Sequence, residues 1–228
     1  MAESNMDITY LGHSSFKIKG KTAVVVTDPF DPNAVGLKFP KIEADIVTSS
    51  HDHDDHRKLS LVDNYKKAFI GPGEYEVMGV SFIGIPSLFG IPSFHDTKNG
   101  EERGKNTIFV IEVDGIRICH LGDLGHKLSE GQLKKIGDID VLLIPVGGEY
   151  TIDSKLAVVV MQQIEATYVI PMHYQVEGLK PSTFKKLQPV ETFLKESGMT
   201  VEKLNKLTIK EEMMIDDQPA SIVVMDTK

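Results

Sequence analysis

Residues 51–56, His51-Asp52-His53-Asp54-Asp55-His56, put three histidines and three aspartates into one hexapeptide with nothing apolar to bury. Imidazole nitrogens and carboxylate oxygens at this density are ligands for divalent cations. In an extended or loop segment His51 and His53 project to one side and converge on one ion, while Asp55 and His56 turn toward a second ion nearby. The competing reading is a solvated polar loop with incidental histidines. Four ligand-type residues directly after the apolar run 44–49 argue against it. Two divalent ions that share a carboxylate and a water lower that water's pKa from about 15.7 to about 7, which supplies hydroxide at neutral pH. Hydrolysis follows, with a nearby carboxylate accepting the proton the water sheds. Imidazoles with hard carboxylates suit zinc first and manganese or iron second.

The elements that must hold this loop are legible from periodicity. Residues 6–11, 15–19 and 22–27 are short β-branched or alternating runs, with Lys19-Gly20-Lys21 as a turn, and predict a β-meander. Residues 44–49 predict another strand and 59–66 a helix of weak spacing, so the histidine loop should run from a strand into a helix. Strands are expected at 68–71, 80–85, 107–113 and 116–121, the last two joined by Asp114-Gly115. From Ser129 onward helices alternate with strands. Helices are expected at 129–136, capped by Ser129, and at 154–165, with strands at 141–144 and 168–170. Residues 182–198 are helical with Pro189 interrupting, and 200–204, 207–210 and 221–225 are strands. The repeated Gly-Ile-Pro-Ser at 84 and 90 marks a local insertion ahead of His95. No linker divides the chain, so residues 1–228 are expected to form one domain.

His51-x-His53-x-Asp55-His56 resembles the His-x-His-x-Asp-His signature of the metallo-β-lactamase superfamily. The resemblance extends, in that family's order, to Asp28 in Thr-Asp-Pro-Phe, His95, Asp123 in Leu-Gly-Asp-Leu-Gly and His173 in Ile-Pro-Met-His-Tyr. It implies that His51, His53 and His95 hold one metal and Asp55, His56 and His173 the second. Asp123 would bridge the two, and Asp28 would orient the histidine loop. It also implies an α+β fold, a four-layer αββα sandwich of two mixed sheets with helices outside, in agreement with strands first and β-α alternation later. Tyr-Leu-Gly-His-Ser-Ser-Phe and Pro-Val-Gly-Gly-Glu-Tyr-Thr are similar to the compact branch that contains L-ascorbate-6-phosphate lactonase and many metal-dependent hydrolases. On that resemblance His13 is a candidate substrate contact. Of the histidines flanking Asp123, His126 is a candidate cleft residue and His120 a structural one. Leu124 departs from the many relatives with Thr or Ser after the bridging aspartate.

Charge narrows the partners. Lysine plus arginine is 25 against 33 acidic residues, a formal charge of −8, which disfavours nucleic acid. A polar N-terminus and no apolar run near the ~20 residues of a membrane span predict a cytoplasmic chain without membrane partners. Single Cys119 cannot form an internal disulfide and reads as a small buried hydrophobe. An anionic small-molecule substrate must then be drawn in by local cations: Arg57 after the histidine cluster, Arg103 as the preferred anchor and Lys105 as the secondary one. The expected activity is hydrolysis of a small anionic ester, lactone or phosphoester, with Asp55 and Asp123 as the catalytic carboxylates. The alternatives are a non-catalytic metal-stabilised binding domain and a phosphodiesterase or nuclease of the same fold. Seven ligand-type residues favour an enzyme, because a scaffold needs no open coordination position. Oligomeric state is not encoded in any motif.

Overall fold

Alternation sets the opening strands: in β1 (Asn5–Gly12) Met6, Ile8 and Tyr10 point inward, and in β2 (Ser15–Lys19) Phe16 and Ile18 do, while Lys17 and Lys19 face out. The computed structural model describes residues 5–88, 104–210 and 219–226. The chain continues through β3 (Val24–Thr27), helix α1 (Pro32–Val35), β4 (Ile42–Glu43), β5 (Ile46–Thr48), β6 (Val62–Asp63), β7 (Lys67–Phe69), β8 (Gly73–Val77), β9 (Val80–Leu88), β10 (Lys105–Val113) and β11 (Ile116–His120). Then come α2 (Glu130–Ile136), β12 (Val141–Pro145), α3 (Ser154–Ile164), β13 (Tyr168–Met172), α4 (Pro181–Phe184), α5 (Val190–Ser197), β14 (Val201–Leu204), β15 (Leu207–Lys210) and β16 (Ser221–Met225).

Two mixed sheets form, one ordered β15-β1-β2-β3-β5-β7 and the other β14-β16-β13-β12-β11-β10-β9-β8, with β4 and β6 as a small parallel pair. One apolar layer lies between them, joining Tyr10, Phe16 and Ile46 of the first sheet to Phe109, Ile118, Leu143 and Ile170 of the second. Strand β12 is buried along its whole length because helices cover the other face of its sheet. Ala157, Val160, Met161 and Ile164 of α3 supply that cover at helical spacing, beside Phe193 of α5. Ser129 and Gln132 form the capping box that starts α2. The result is the expected αββα sandwich. No described helix is long and apolar enough to cross a membrane.

One expected element is replaced. The helix over 59–66 is instead a single 3-10 turn, Leu59–Leu61, followed by β6. Val62 pairs with Ile42 and packs with Leu11, Ala44 and Val47, and Asn64 at φ 63 leaves the helical region. The apolar spacing at 59, 62 and 65 serves this side cluster. Strand β8 was masked in the sequence by Gly71-Pro72-Gly73, which reads as a turn; it pairs with β9 at the sheet edge.

The chemistry-bearing residues meet at one end of the sandwich. Asp28 follows β3, the histidine loop follows β5, Asp123 follows β11, His173 follows β13, and His13 occupies the β1–β2 turn. Cross-sheet bonds lock this end: His173 N donates to the His13 carbonyl at 2.8 Å, His120 Nε2 to the Ser14 carbonyl at 2.8 Å and Thr107 N to the Ser50 carbonyl at 2.8 Å.

Candidate metal centre

Asp28, fully buried at the end of β3, organises the histidine loop. Its Oδ1 accepts the Ser50 amide at 2.8 Å, and its Oδ2 accepts the Ser50 hydroxyl at 2.6 Å and His56 Nδ1 at 2.8 Å. With its proton directed to Asp28, the Ser50 oxygen is left as acceptor for His51 Nδ1 at 2.9 Å. Nδ1 of each imidazole is thereby engaged by the loop and Nε2 is turned toward the centre, for His56 the arrangement by which a carboxylate presents a metal-binding histidine.

Those nitrogens converge on Asp123. His56 Nε2 lies 3.3 Å from its Oδ1, and His173 Nε2 and His51 Nε2 lie 3.5 and 3.9 Å from its Oδ2. Asp55 Oδ2 is 3.6 Å from His56 Nε2 and 3.2 Å from His13 Nε2. Ligand atoms about 2.1 Å from one shared ion stand about 3.0–3.4 Å apart, so the His56–Asp123 and His13–Asp55 pairs, at 3.3 and 3.2 Å, already have the spacing of a coordination shell, and the other three pairs, at 3.5–3.9 Å, lie just wider. His56 Nε2, His173 Nε2 and Asp123 Oδ1 are buried without a hydrogen-bond partner, as a metal-ligand set requires. Two groups of ligand atoms result, His51, His56 and Asp123 in one and His13, Asp55, His56 and His173 in the other, each within 4.8 Å. His53 stands on the exposed side of the first group, its ring centroid 4.8 Å from that of His51. His95 and Arg103 lie outside the described residues.

Strain marks the same positions. His13, Asp28 and His173 hold φ angles of 54°, 42° and 52°, each costing on the order of 1–3 kcal/mol for a residue with a Cβ. Two glycines are required by space: a Cβ on Gly122 would run into Asn106 Oδ1 and Ser50, and one on Gly147 into the His173 carbonyl. Gly148, at φ 68°, donates its amide to the Ile152 carbonyl at 3.3 Å.

Charge follows from the geometry. Burial pulls His173 down to about 3 and, helped by the neighbouring His56, His51 down to about 4, so both are neutral at pH 7. Burial opposes ionisation of Asp123 and Asp55. The surrounding histidines override it and hold both carboxyls below the usual range. His56 is likewise opposed by burial, yet the carboxylates of Asp123, Asp55 and Asp28 raise it well above an ordinary histidine. A cation bound through His56 must displace the proton from that ring. Zinc loading at pH 7 should therefore release about one proton per chain, and affinity should fall as pH falls. Calorimetry in buffers of different ionisation enthalpy measures this; an enthalpy independent of buffer would contradict it.

Sequence reasoning missed two supports. Ser50 was legible only as a polar residue ahead of His51. Asn106 had no local signal, because its partners are distant: its side chain accepts the Asp123 amide at 3.1 Å and donates to the Leu121 carbonyl at 2.9 Å and Ser87 Oγ at 2.7 Å. His120 is structural as expected, with both ring nitrogens bonded to backbone, at Ser14 and Gly122. His126 accepts the Leu88 amide at 3.2 Å and lines, with Lys105, Asn106 and Pro86, a groove of about 600 Å³. Leu124 is fully buried in the outer apolar layer, where the hydroxyl of a Thr or Ser would be desolvated.

Residues 7–173 match the family model described as the Beta-lactamase superfamily domain, and the chain belongs to that superfamily. Its relatives are metal-dependent hydrolases. A UPF0173 metal-dependent hydrolase of Methanosphaera stadtmanae is 32% identical over 222 residues, covering 83% of this chain and 90% of the relative. One of Thermococcus onnurineus is 29% identical over 205 residues, covering 79% and 91%. The crystal structure of a proposed Zn-dependent hydrolase of the metallo-β-lactamase superfamily from Thermotoga maritima is 39% identical, with a TM-score of 0.74 over 98% of this chain and 100% of that one. The chain is accordingly a metal-dependent hydrolase of the metallo-β-lactamase fold.

Proposed function

We propose that the centre holds two divalent ions, zinc by preference, and hydrolyses an ester, lactone or phosphoester bond in a small anionic substrate. The observation that carries this reading is the Asp123 carboxylate, whose Oδ1 faces His56 and whose Oδ2 faces both His51 and His173, so that it stands between residues of the two ligand groups. When bound, such ions polarise the scissile oxygen and acidify water. The chain's own part is to hold the ligands and move a proton. Asp28 and Ser50 hold His56 and His51 by Nδ1, with Nε2 turned toward the centre. Asp55 is ionised and its side chain is 19% exposed against 5% for Asp123, so Asp55 is the carboxylate that water reaches and the one placed to accept its proton. His51, His53 and His95 are proposed for one ion, Asp55, His56 and His173 for the other.

Substrate charge is proposed to be read by Arg103 and Lys105. Arg57 is already paired with Asp52 at 2.9 Å, whereas Lys105 stands exposed at the rim of the His126 groove. A charge-assisted contact is worth about 1.5–3 kcal/mol. Arg103→Ala should therefore raise KM for the anionic substrate tenfold or more and leave a neutral ester of similar size almost unchanged, with a smaller effect for Lys105→Ala. Equal losses on both substrates would assign these residues to the fold. The activity itself is tested with zinc-loaded protein on lactone, phosphodiester, thioester and β-lactam substrates. Turnover of a lactone or phosphoester that disappears on chelation and returns with zinc supports the reading. A metal-replete protein inert on the whole panel would favour a non-catalytic binding domain.

A further inference from the structure

We propose that His13 is a metal ligand, joining Asp55, His56 and His173, and that it closes this half of the centre so that the open coordination position lies on the His51 side. The inference rests on the two-ion reading above. His13 is 1% exposed, which removes it from direct contact with a substrate in solvent, and its ring is walled by Phe30 and Phe184 at 6.4 and 5.0 Å. Its Nε2 is 3.2 Å from Asp55 Oδ2, a spacing of atoms sharing one ion, and its ring centroid is 4.2 Å from that of His173 and 5.2 Å from that of His56.

Contrast with His120 separates a ligand from a structural histidine. Both rings are buried, but His120 bonds backbone through each nitrogen, whereas His13 has the Asp55 oxygen at Nε2 and no hydrogen-bond partner at Nδ1. The main chain meanwhile holds His13 rigidly: its carbonyl accepts both His173 N and the Tyr10 hydroxyl at 2.8 Å, so two strained residues of one ligand group are bonded directly to each other. Four protein groups lie together on this half, and Asp123, 3.3 and 3.5 Å from the His56 and His173 nitrogens, adds a fifth, a closed set of the kind that retains an ion, while the other half carries His53 on its exposed side.

The test is a chelator titration of the zinc-loaded full chain with dipicolinate, counting zinc retained by mass spectrometry in wild type and His13→Ala. Wild type should lose its ions in two separated steps, and His13→Ala should lose the second about tenfold more readily, merging the steps. Two unchanged steps in a folded His13→Ala protein would overturn the proposal and leave His13 as a donor that orients Asp55. Should the variant not fold, the cobalt-substituted wild type decides: after removal of the labile ion, weak visible absorption of a five-coordinate centre supports His13 ligation, and intense four-coordinate absorption overturns it. Fewer than two ions in wild type would defeat the two-ion reading itself, a distinct outcome.

Discussion

Asp123→Ala should lower kcat/KM by about a thousandfold or more, with one metal ion or none retained per chain. The side chain is buried, its amide is pinned by Asn106, and its two oxygens face His51, His56 and His173. Removing it takes away the group that addresses both ligand sets and the negative charge that would offset the repulsion between two cations held side by side. Metal-assisted polarisation is worth several kcal/mol, and each 1.36 kcal/mol is tenfold in rate, hence about three decades. Cys119→Ala is the matched control. Cys119 lies in the outer apolar layer, and burial pushes its thiol up, so it is no nucleophile. Its removal should cost stability alone. Near-normal turnover of Asp123→Ala with two ions bound would remove the bridging assignment.

Metal removal should lower the melting temperature by about 10 °C. Without cations, Asp28, Asp55 and Asp123 remain ionised in a buried cluster whose internal partners are imidazoles, and His13, Asp28 and His173 keep their strained backbone. A ligand at about 1,000 times its dissociation constant stabilises by about 4.1 kcal/mol, and about 1 kcal/mol moves the melt of a domain of this size by about 2–4 °C. Calorimetry on protein shown by mass spectrometry to be metal-free checks this. An unchanged melt would mean that the ions serve chemistry without supporting the fold.

Much of this centre was legible before the structure because its signal is local. The hexapeptide at 51–56 concentrates ligands that no apolar packing explains, and Asp28, Asp123 and His173 each sit just past an apolar strand run. What stayed hidden depends on contacts across the sandwich. His13 becomes a member of the ligand group only because the β1–β2 turn is bonded to β13, and Asn106 reaches Asp123 across 17 positions of chain. Residues 59–66 misled for a related reason: apolar spacing of three fits a helix as well as a 3-10 turn packed on Leu11 and Val47, and only the left-handed Asn64 separates them.

The most direct measurement is the metal content of the purified chain by mass spectrometry, repeated after chelation and reloading. The two-ion centre predicts close to two divalent ions per chain, zinc foremost, lost on chelation and recovered together with hydrolytic activity. A stoichiometry of one or none in fully active protein would contradict it.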